Sequence, residues 1–434
     1  MNETSQPGGQ LAEERFSEKE KYYTLVVLTF VYIFNFVDRQ VLSILQEGIK
    51  ADLGLSDTQL GLLSGLSFAL FYVSFGIPIA RMADKGVRRN IVALAVGTWS
   101  FMTAMCGLAQ NFWQLLGARI GVGIGEAGGS PPAHSMISDM FPPEKRATAL
   151  AFYSTGINFG VLLGFVIGGV VNDLYGWRLV FFIVGVPGII MALLVRFTLR
   201  EPPRGMSENK MVKAEAPPFK EVFKILRSRR SFRHMSIAAG LHAFVGYGVT
   251  TWIASFLIRT YELQGTSEVG IWLGLISGTS GAAGTFYGGY LADKLGKKDK
   301  RWYMWVSAWA TIISVPFLLV VFSLNNYYLA LSIYLVPAFF SSMYLGPTLA
   351  MTHGIVSLRM RALASAILFF VLNLIGLGMG PFLTGVLSDL FIPRFGGESL
   401  RYALLCLVFV YLWSGVHYLI AAKTIREDLE NAPA

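Results

Sequence analysis

Only two cysteines occur in 434 residues, Cys106 and Cys406, and both sit inside apolar runs. That excludes a disulfide framework and any cysteine-based metal cluster. The five histidines, His134, His234, His242, His353 and His417, share no metal-ligand spacing. No nucleophile–base arrangement accompanies them, so they read as packing or span-end residues; no metal and no cofactor is expected. There is no Walker-type phosphate loop, which argues against direct coupling to ATP. Charge is scarce too. Charged residues make up 15% of the chain, where soluble domains carry roughly 25%.

Apolar residues fill the gap. Hydrophobic side chains reach 54% and glycines number 46, with a mean hydropathy of +0.53. Glycine is enriched in membrane helices. Twelve apolar stretches, each near the roughly 20 residues that cross a bilayer, lie at 24–45, 58–83, 90–109, 112–138, 145–171, 177–199, 232–258, 268–292, 302–324, 327–355, 362–390 and 402–422. The expected fold is an all-α membrane protein of twelve transmembrane helices in two six-helix, pseudo-symmetric bundles. The divisions are a tail at 1–22, a first bundle at 23–199, a linker at 200–231, a second bundle at 232–423 and a tail at 424–434. Glu13, Glu14 and Glu18 before the first run argue against a cleavable signal peptide.

The formal net charge is +9, and its placement explains it. Basic residues collect in alternate loops: Arg81, Lys85, Arg88 and Arg89 after span two, Lys145 and Arg146 after span four, Lys294 to Arg301 after span eight, Arg359 and Arg361 after span ten. The positive-inside rule then puts both termini in the cytoplasm, in a bacterial-type inner membrane. The charge is an orientation signal, not a nucleic-acid footprint. The linker "PPFKEVFKILRSRRSFRH" is basic and partly amphipathic. It reads either as a solvated connector or as a segment lying on the anionic inner leaflet.

The halves repeat. Ala83-Asp84-Lys85 matches Ala292-Asp293-Lys294. "KRATALAFYSTGINFG" matches "MRALASAILFFVLNLIG", pairing Arg146 with Arg361, Asn158 with Asn373 and, farther on, Asp173 with Asp389. Parallel repeats imply a central site between halves that rock against each other. Twelve spans, a long central linker and two copies of a G-x-x-x-D-[KR]-x-G-[KR]-[KR]-like loop resemble the major facilitator superfamily. "NFVDRQVLSIL", "RIGVGIGEAG", "FPPEKRATAL" and "REPPRG" resemble its spinster branch, a family of lysolipid and sphingosine-phosphate transporters. The resemblance covers roughly residues 20–425. It implies alternating access, and a conformational latch on the cytoplasmic side formed by Asp84, Arg88, Arg89, Asp293, Lys297, Lys298, Arg146 and Arg361.

Ionisable residues within spans cost from about 2.5 kcal/mol upward and persist when they face one another or a cavity. Span one holds Asp38 and Arg39; span four holds Arg119 and Glu126, nearly two turns apart on one face. All four fall at neighbouring depths. Burial and neighbouring arginines pull a carboxyl's protonation in opposite directions, which suits proton coupling, and a released arginine suits an anionic head group. The second half has no matching cluster. It offers Tyr247, Phe340, Tyr344, Phe370 and Asn373, which with Asn35 and Asn158 are the candidate cavity lining. Arg259, Glu262 and Glu268 read as an exposed rim around the outer loop.

Glycines punctuate two spans. Gly156, Gly160, Gly164 and Gly168 make one smooth face of span five, suited to close helix approach. "GFVIGG" resembles an antiporter signature but carries Phe165 where that signature has proline; Pro381 holds the equivalent place in span eleven. In span four, Gly123, Gly125 and Gly128 spell G-x-G-x-x-G without the strand–turn–helix unit a dinucleotide site needs. They are expected to thin the helix so that spans one and four approach, with a bend at Pro131-Pro132 below. The reading is a secondary active transporter, not an enzyme. It moves an amphipathic, anionic, lipid-like substrate (lysolipid or sphingosine-phosphate-like) with protons, as a monomer in the lipid bilayer, with no nucleic acid. A multidrug or small organic-ion antiporter is the alternative; a membrane receptor or enzyme lacks any supporting constellation.

Overall fold

The computed structural model describes residues 16–207 and 218–433, all of it helix and connecting turns. Twelve helical spans appear in chain order. The first is Glu18–Leu53, the third Arg88–Cys106, the fifth Pro143–Tyr175 and the sixth Trp177–Thr198. The seventh is Arg230–Thr260, the eighth Ser267–Gly296, the ninth Trp302–Ser323 and the twelfth Ser399–Glu430. The other four are interrupted. Span two runs Asp57–Gly61 and Ser67–Lys85 around a π-helical turn at Leu62–Leu66. Span eleven runs Arg361–Val371 and Gly380–Phe395 around another at Leu372–Met379. Spans four (Phe112–Glu126, then Ser130–Met140) and ten (Tyr327–Ser341, then Leu345–Gly354) both break midway. A short linker helix, Phe219–Ser228, precedes span seven.

Local sequence sets these limits. Ser17 and Glu20 form a capping box at the start of span one, and Ser56 with Gln59 repeats it for span two. Gly54, at φ 63°, ends span one in the left-handed conformation that glycine adopts without a Cβ clash. Asn111 and Asn326 cap spans four and ten through the same bond, to the third residue on. In span four the helix stops at Glu126 and restarts at Ser130, with Pro131 and Pro132 in the new first turn, where their missing N–H costs nothing. The expected bend is thus present, just ahead of the prolines.

Glycine determines which helices touch. In span five, a Cβ on Gly160 would stand 2.5 Å from the Phe36 Cβ, and one on Gly164 2.7 Å from the Gln40 Cβ, so spans five and one meet along the four-residue glycine row. Gly160→Leu is expected to force that seam apart. Overpacking costs of about 1–3 kcal/mol would show as a lower melting temperature or loss of a monodisperse peak in detergent. The span-four glycines behave otherwise. Gly123 lies against Phe68 of span two, while Gly125 and Gly128 lie against Trp99 and Ala95 of span three. They thin the helix toward spans two and three, not toward span one as expected, because the face toward span one is already taken by Arg119 and Glu126.

The halves meet through two backbone-tight pairs. Gly270 and Gly274 of span eight face the carbonyls of Phe165 and Leu162 in span five. Gly61 and Gly65 of span two face those of Pro381 and Gly378 in span eleven.

Candidate functional site

Span one places Asp38 and Arg39 side by side, and the twist of the helix separates them. Arg39 donates from Nε to Glu126 Oε2 at 2.6 Å. Its guanidinium lies 5.1 Å from the ring centroids of Phe36 and Phe68 and 5.2 Å from that of Tyr72. Cation–π attraction is strongest where water is excluded, and the Glu126 side chain is fully buried. Asp38 turns the other way, into the interior, within electrostatic reach of Glu126, Arg119 and Arg39. Arg119 is buried as well, its guanidinium 5.5 Å from the centroid of the Phe68 ring. Its Nε and Nη1, like Asp38 Oδ1 and Glu126 Oε1, have no hydrogen-bond partner among the described residues. Gly123 lets the Phe68 backbone come close enough for its ring to serve both arginines.

The cluster holds two carboxylates and two guanidiniums, so its formal charge is zero. Adding one proton leaves one guanidinium charge uncompensated in a low-dielectric site, where an anion is strongly favoured. That is the chemistry this arrangement can perform: joint uptake of a proton and an anionic group.

The cavity candidates divide. Asn35 is buried beside Glu126. Tyr247, from span seven, is close enough to bear on Arg39 and packs with Leu377 of span eleven against the first-half core that includes Phe68. Tyr344 continues this wall: it neighbours Tyr247 and stacks on His242 with ring centroids 3.9 Å apart. His242 is itself bonded to Thr311 at 2.8 Å and to the Ser341 carbonyl at 2.8 Å. The others touch different neighbours. Phe340 packs against Phe339 in a small separate cluster. Phe370 is exposed. Asn373 sits in the π-helical turn of span eleven, and Asn158 faces Gly278 and Gly281 of span eight.

The latch residues sit at the end where span one begins and span twelve ends. The side chain of Asp84 lies outside the described residues. Arg88 is fully buried and bonds Glu201, Ser135 and the Pro202 carbonyl, with a short ion pair to Asp139. Arg89 donates to the Leu199 carbonyl at 3.1 Å, and Arg146 to Ser207 at 3.2 Å. These contacts tie the first half to the start of the linker. Asp293 accepts from Tyr303, Arg361 donates to the His353 carbonyl, and Lys297 and Lys298 are exposed. Arg88→Ala leaves the half-buried Glu201 and Asp139 carboxylates without their buried cation, and losing one partner of such a pair is destabilising; thermal unfolding of the variant should show a marked drop.

At the opposite end the halves are bonded together, and sequence reasoning missed this. Arg259 is not an exposed rim residue: its side chain is only 15% exposed and reaches the fully buried Asp57 at 2.7 Å and Glu47 at 2.8 Å. Asp57 also takes Lys50 at 2.5 Å and the Ser388 hydroxyl at 2.6 Å. Asp389 accepts from the backbone N–H groups of Asp57 and Thr58 at 3.1 and 2.7 Å. Asp173 does the same for Thr266 and Ser267 at 2.7 Å each. Each aspartate therefore caps the first turn of a helix in the other half, where N–H groups are unpaired and the helix dipole favours an anion. The pairing of Asp173 with Asp389 in the internal repeat was the signal available in advance. Among the described residues, the hydrogen bonds that join the halves gather at this end, so the molecule is closed here.

Comparison with known proteins places this architecture. The sequence model of the Major Facilitator Superfamily matches residues 28–381. An MFS-type efflux pump of Mycolicibacterium smegmatis is 32% identical over 417 residues, covering 96% of each chain. Protein spinster homolog 3 of Danio rerio is 27% identical, covering 96% of this chain and 88% of its own. A bacterial homologue of the human lysosomal transporter Spinster, solved in an inward-facing and unoccupied conformation, superposes with a TM-score of 0.88 at 34% identity, covering 95% of this chain and 99% of its own. With twelve spans in two repeated halves, a charged cluster confined to the first, and these relatives along nearly its whole length, the chain belongs to the Major Facilitator Superfamily, as an integral multi-pass membrane transporter of the spinster family.

Proposed function

We propose that the protein carries an amphipathic, anionic, lipid-like molecule (lysolipid or sphingosine-phosphate-like) by alternating access, with proton uptake at the Asp38–Glu126 pair matched to binding of the head group by Arg39 and Arg119. One observation carries this reading: Arg39 is shared between Glu126 and three aromatic rings in a largely buried, charge-neutral quartet. A proton on either carboxyl turns the quartet into an anion site. The wall of Tyr247 and Tyr344 gives an apolar chain a surface to lie on. The divisions are a tail at 1–22, bundles at 23–199 and 232–423, the linker at 200–231 and a tail at 424–434. With the basic loops and both termini in the cytoplasm of a bacterial-type inner membrane, the closed end faces outward and the protein rests inward-facing. Asp84, Arg88, Arg89, Asp293, Lys297, Lys298, Arg146 and Arg361 form the latch of the opposite, outward-facing state.

Proton–anion linkage has a defined sign. Binding that takes up a proton strengthens as pH falls, by up to about tenfold per pH unit for one linked proton. Titration calorimetry with a lysophosphatidylglycerol across a pH series should show that slope. Affinity independent of pH would overturn the linkage. A second reading, export of small organic ions, draws on the efflux-pump relative. Thermal stabilisation by cationic drugs, with none by lysolipid, would favour it.

A further inference from the structure

The linker helix Phe219–Ser228 has three faces, and only one is used by the protein. Val222 and Leu226 are buried against the cytoplasm-proximal core formed with spans seven and eleven. Roughly 60° round the helix stand Phe219 and Phe223, 56% and 43% exposed, stacked on each other with centroids 5.8 Å apart. Farther round are Lys220, Lys224 and Arg227, all exposed. The helix is held in place: Arg229, just beyond it, pairs with Asp428 and bonds the Asn431 carbonyl, and Ser231 N–H donates to Asp428 at 2.8 Å. It also sits at the end of the bundle where other aromatics reach outward, Tyr22 at 49% and Phe197 at 76% exposed. Exposed aromatics at span ends mark the interfacial belt of a bilayer.

We propose that this helix is a membrane-surface anchor whose phenylalanine pair enters the acyl boundary of the leaflet while its lysines and arginine hold anionic phospholipid head groups. The order of faces supports a bilayer as the occupant: protein on one side, two aromatic rings beside it, then cations at the outer edge. Residues 219–233 carry six basic side chains against the single Glu221, the complement of an anionic surface. Because the helix is tied to spans seven and eleven, the leaflet's charge bears directly on the second half.

The full-length protein, reconstituted in nanodiscs, tests this. A nitroxide on Phe223→Cys, in a Cys406→Ser background with Cys106 buried, reports depth through its relative collision rates with oxygen and with a water-soluble nickel chelate. In phosphatidylcholine containing phosphatidylglycerol, the label should lie below the phosphates. It should shift into water when phosphatidylglycerol is omitted, or when Lys220, Lys224 and Arg227 are all changed to Gln. In parallel, native mass spectrometry of unlabelled protein should show fewer retained phosphatidylglycerol molecules in the triple variant. A label in water in the anionic bilayer overturns the proposal, as does a depth unchanged by lipid charge and by the triple substitution.

Discussion

Glu126→Gln is expected to abolish uphill uptake while leaving anion binding intact. The substitution keeps the size and one hydrogen-bond acceptor for Arg39 but removes a charge, so the quartet carries one net positive charge with Asp38 still ionised. A site that starts in that form binds an anion without first taking up a proton, so anion binding no longer draws on the proton gradient. Proteoliposomes should therefore retain substrate exchange but lose accumulation driven by a pH gradient, by well over an order of magnitude. The pH dependence of substrate affinity should flatten at the same time. Asp38→Asn makes the same net change from the other carboxyl and should give the same phenotype. Undiminished gradient-driven uptake in both variants would remove the proton from the mechanism. Loss of exchange as well would show a structural role for the pair rather than a coupling one.

The second large effect concerns Arg259. From the second half it bonds both Asp57 and Glu47 of the first. Arg259→Ala leaves the buried Asp57 with Lys50 and the Ser388 hydroxyl, and the half-buried Glu47 without its cation. Truncating one partner of such a network costs several kcal/mol, mostly through the charges left unpaired. That penalty falls only on the state in which this end is closed. A shift of a few kcal/mol inverts a two-state population, so the variant should rest outward-facing. Paired spin labels across the closed end should report the longer distance as the major population, and net transport should fall at least tenfold. A distance distribution identical to the wild type would show that the glycine-packed helix pairs, not the ion pairs, hold this end shut.

These two predictions differ in how visible they were in the sequence. Asp38, Arg39, Arg119 and Glu126 stand out because a charge inside an apolar run is rare and costly, and a spacing of seven in span four puts two of them on one face. The glycine row of span five is equally legible, since a repeat of four traces one stripe of a helix. Arg259 was not. It lies at a span end, where charges are ordinary, and its partners are 202 and 212 residues away. The π-helical turns at Leu62–Leu66 and Leu372–Met379 carry no local signature either, because they answer to the close crossing of spans two and eleven. The direction of the span-four glycines was misjudged for a related reason: small residues announce a close neighbour but not which one.

Asp173 and Asp389 carry a consequence for how this transporter can vary. Asp389 reaches across to the main-chain N–H groups of Asp57 and Thr58, and Asp173 to those of Thr266 and Ser267 and to their two hydroxyls as well. At the Asp389 contact Thr58 can therefore be exchanged without losing its backbone bond, so long as the helix still begins at that position. Information in that contact is one-sided: the carboxylate writes it, and the peptide backbone reads it. A library randomised at position 58 should consequently tolerate wide substitution, position 267 should favour serine and threonine, and the same library at 173 and 389 should return little but aspartate.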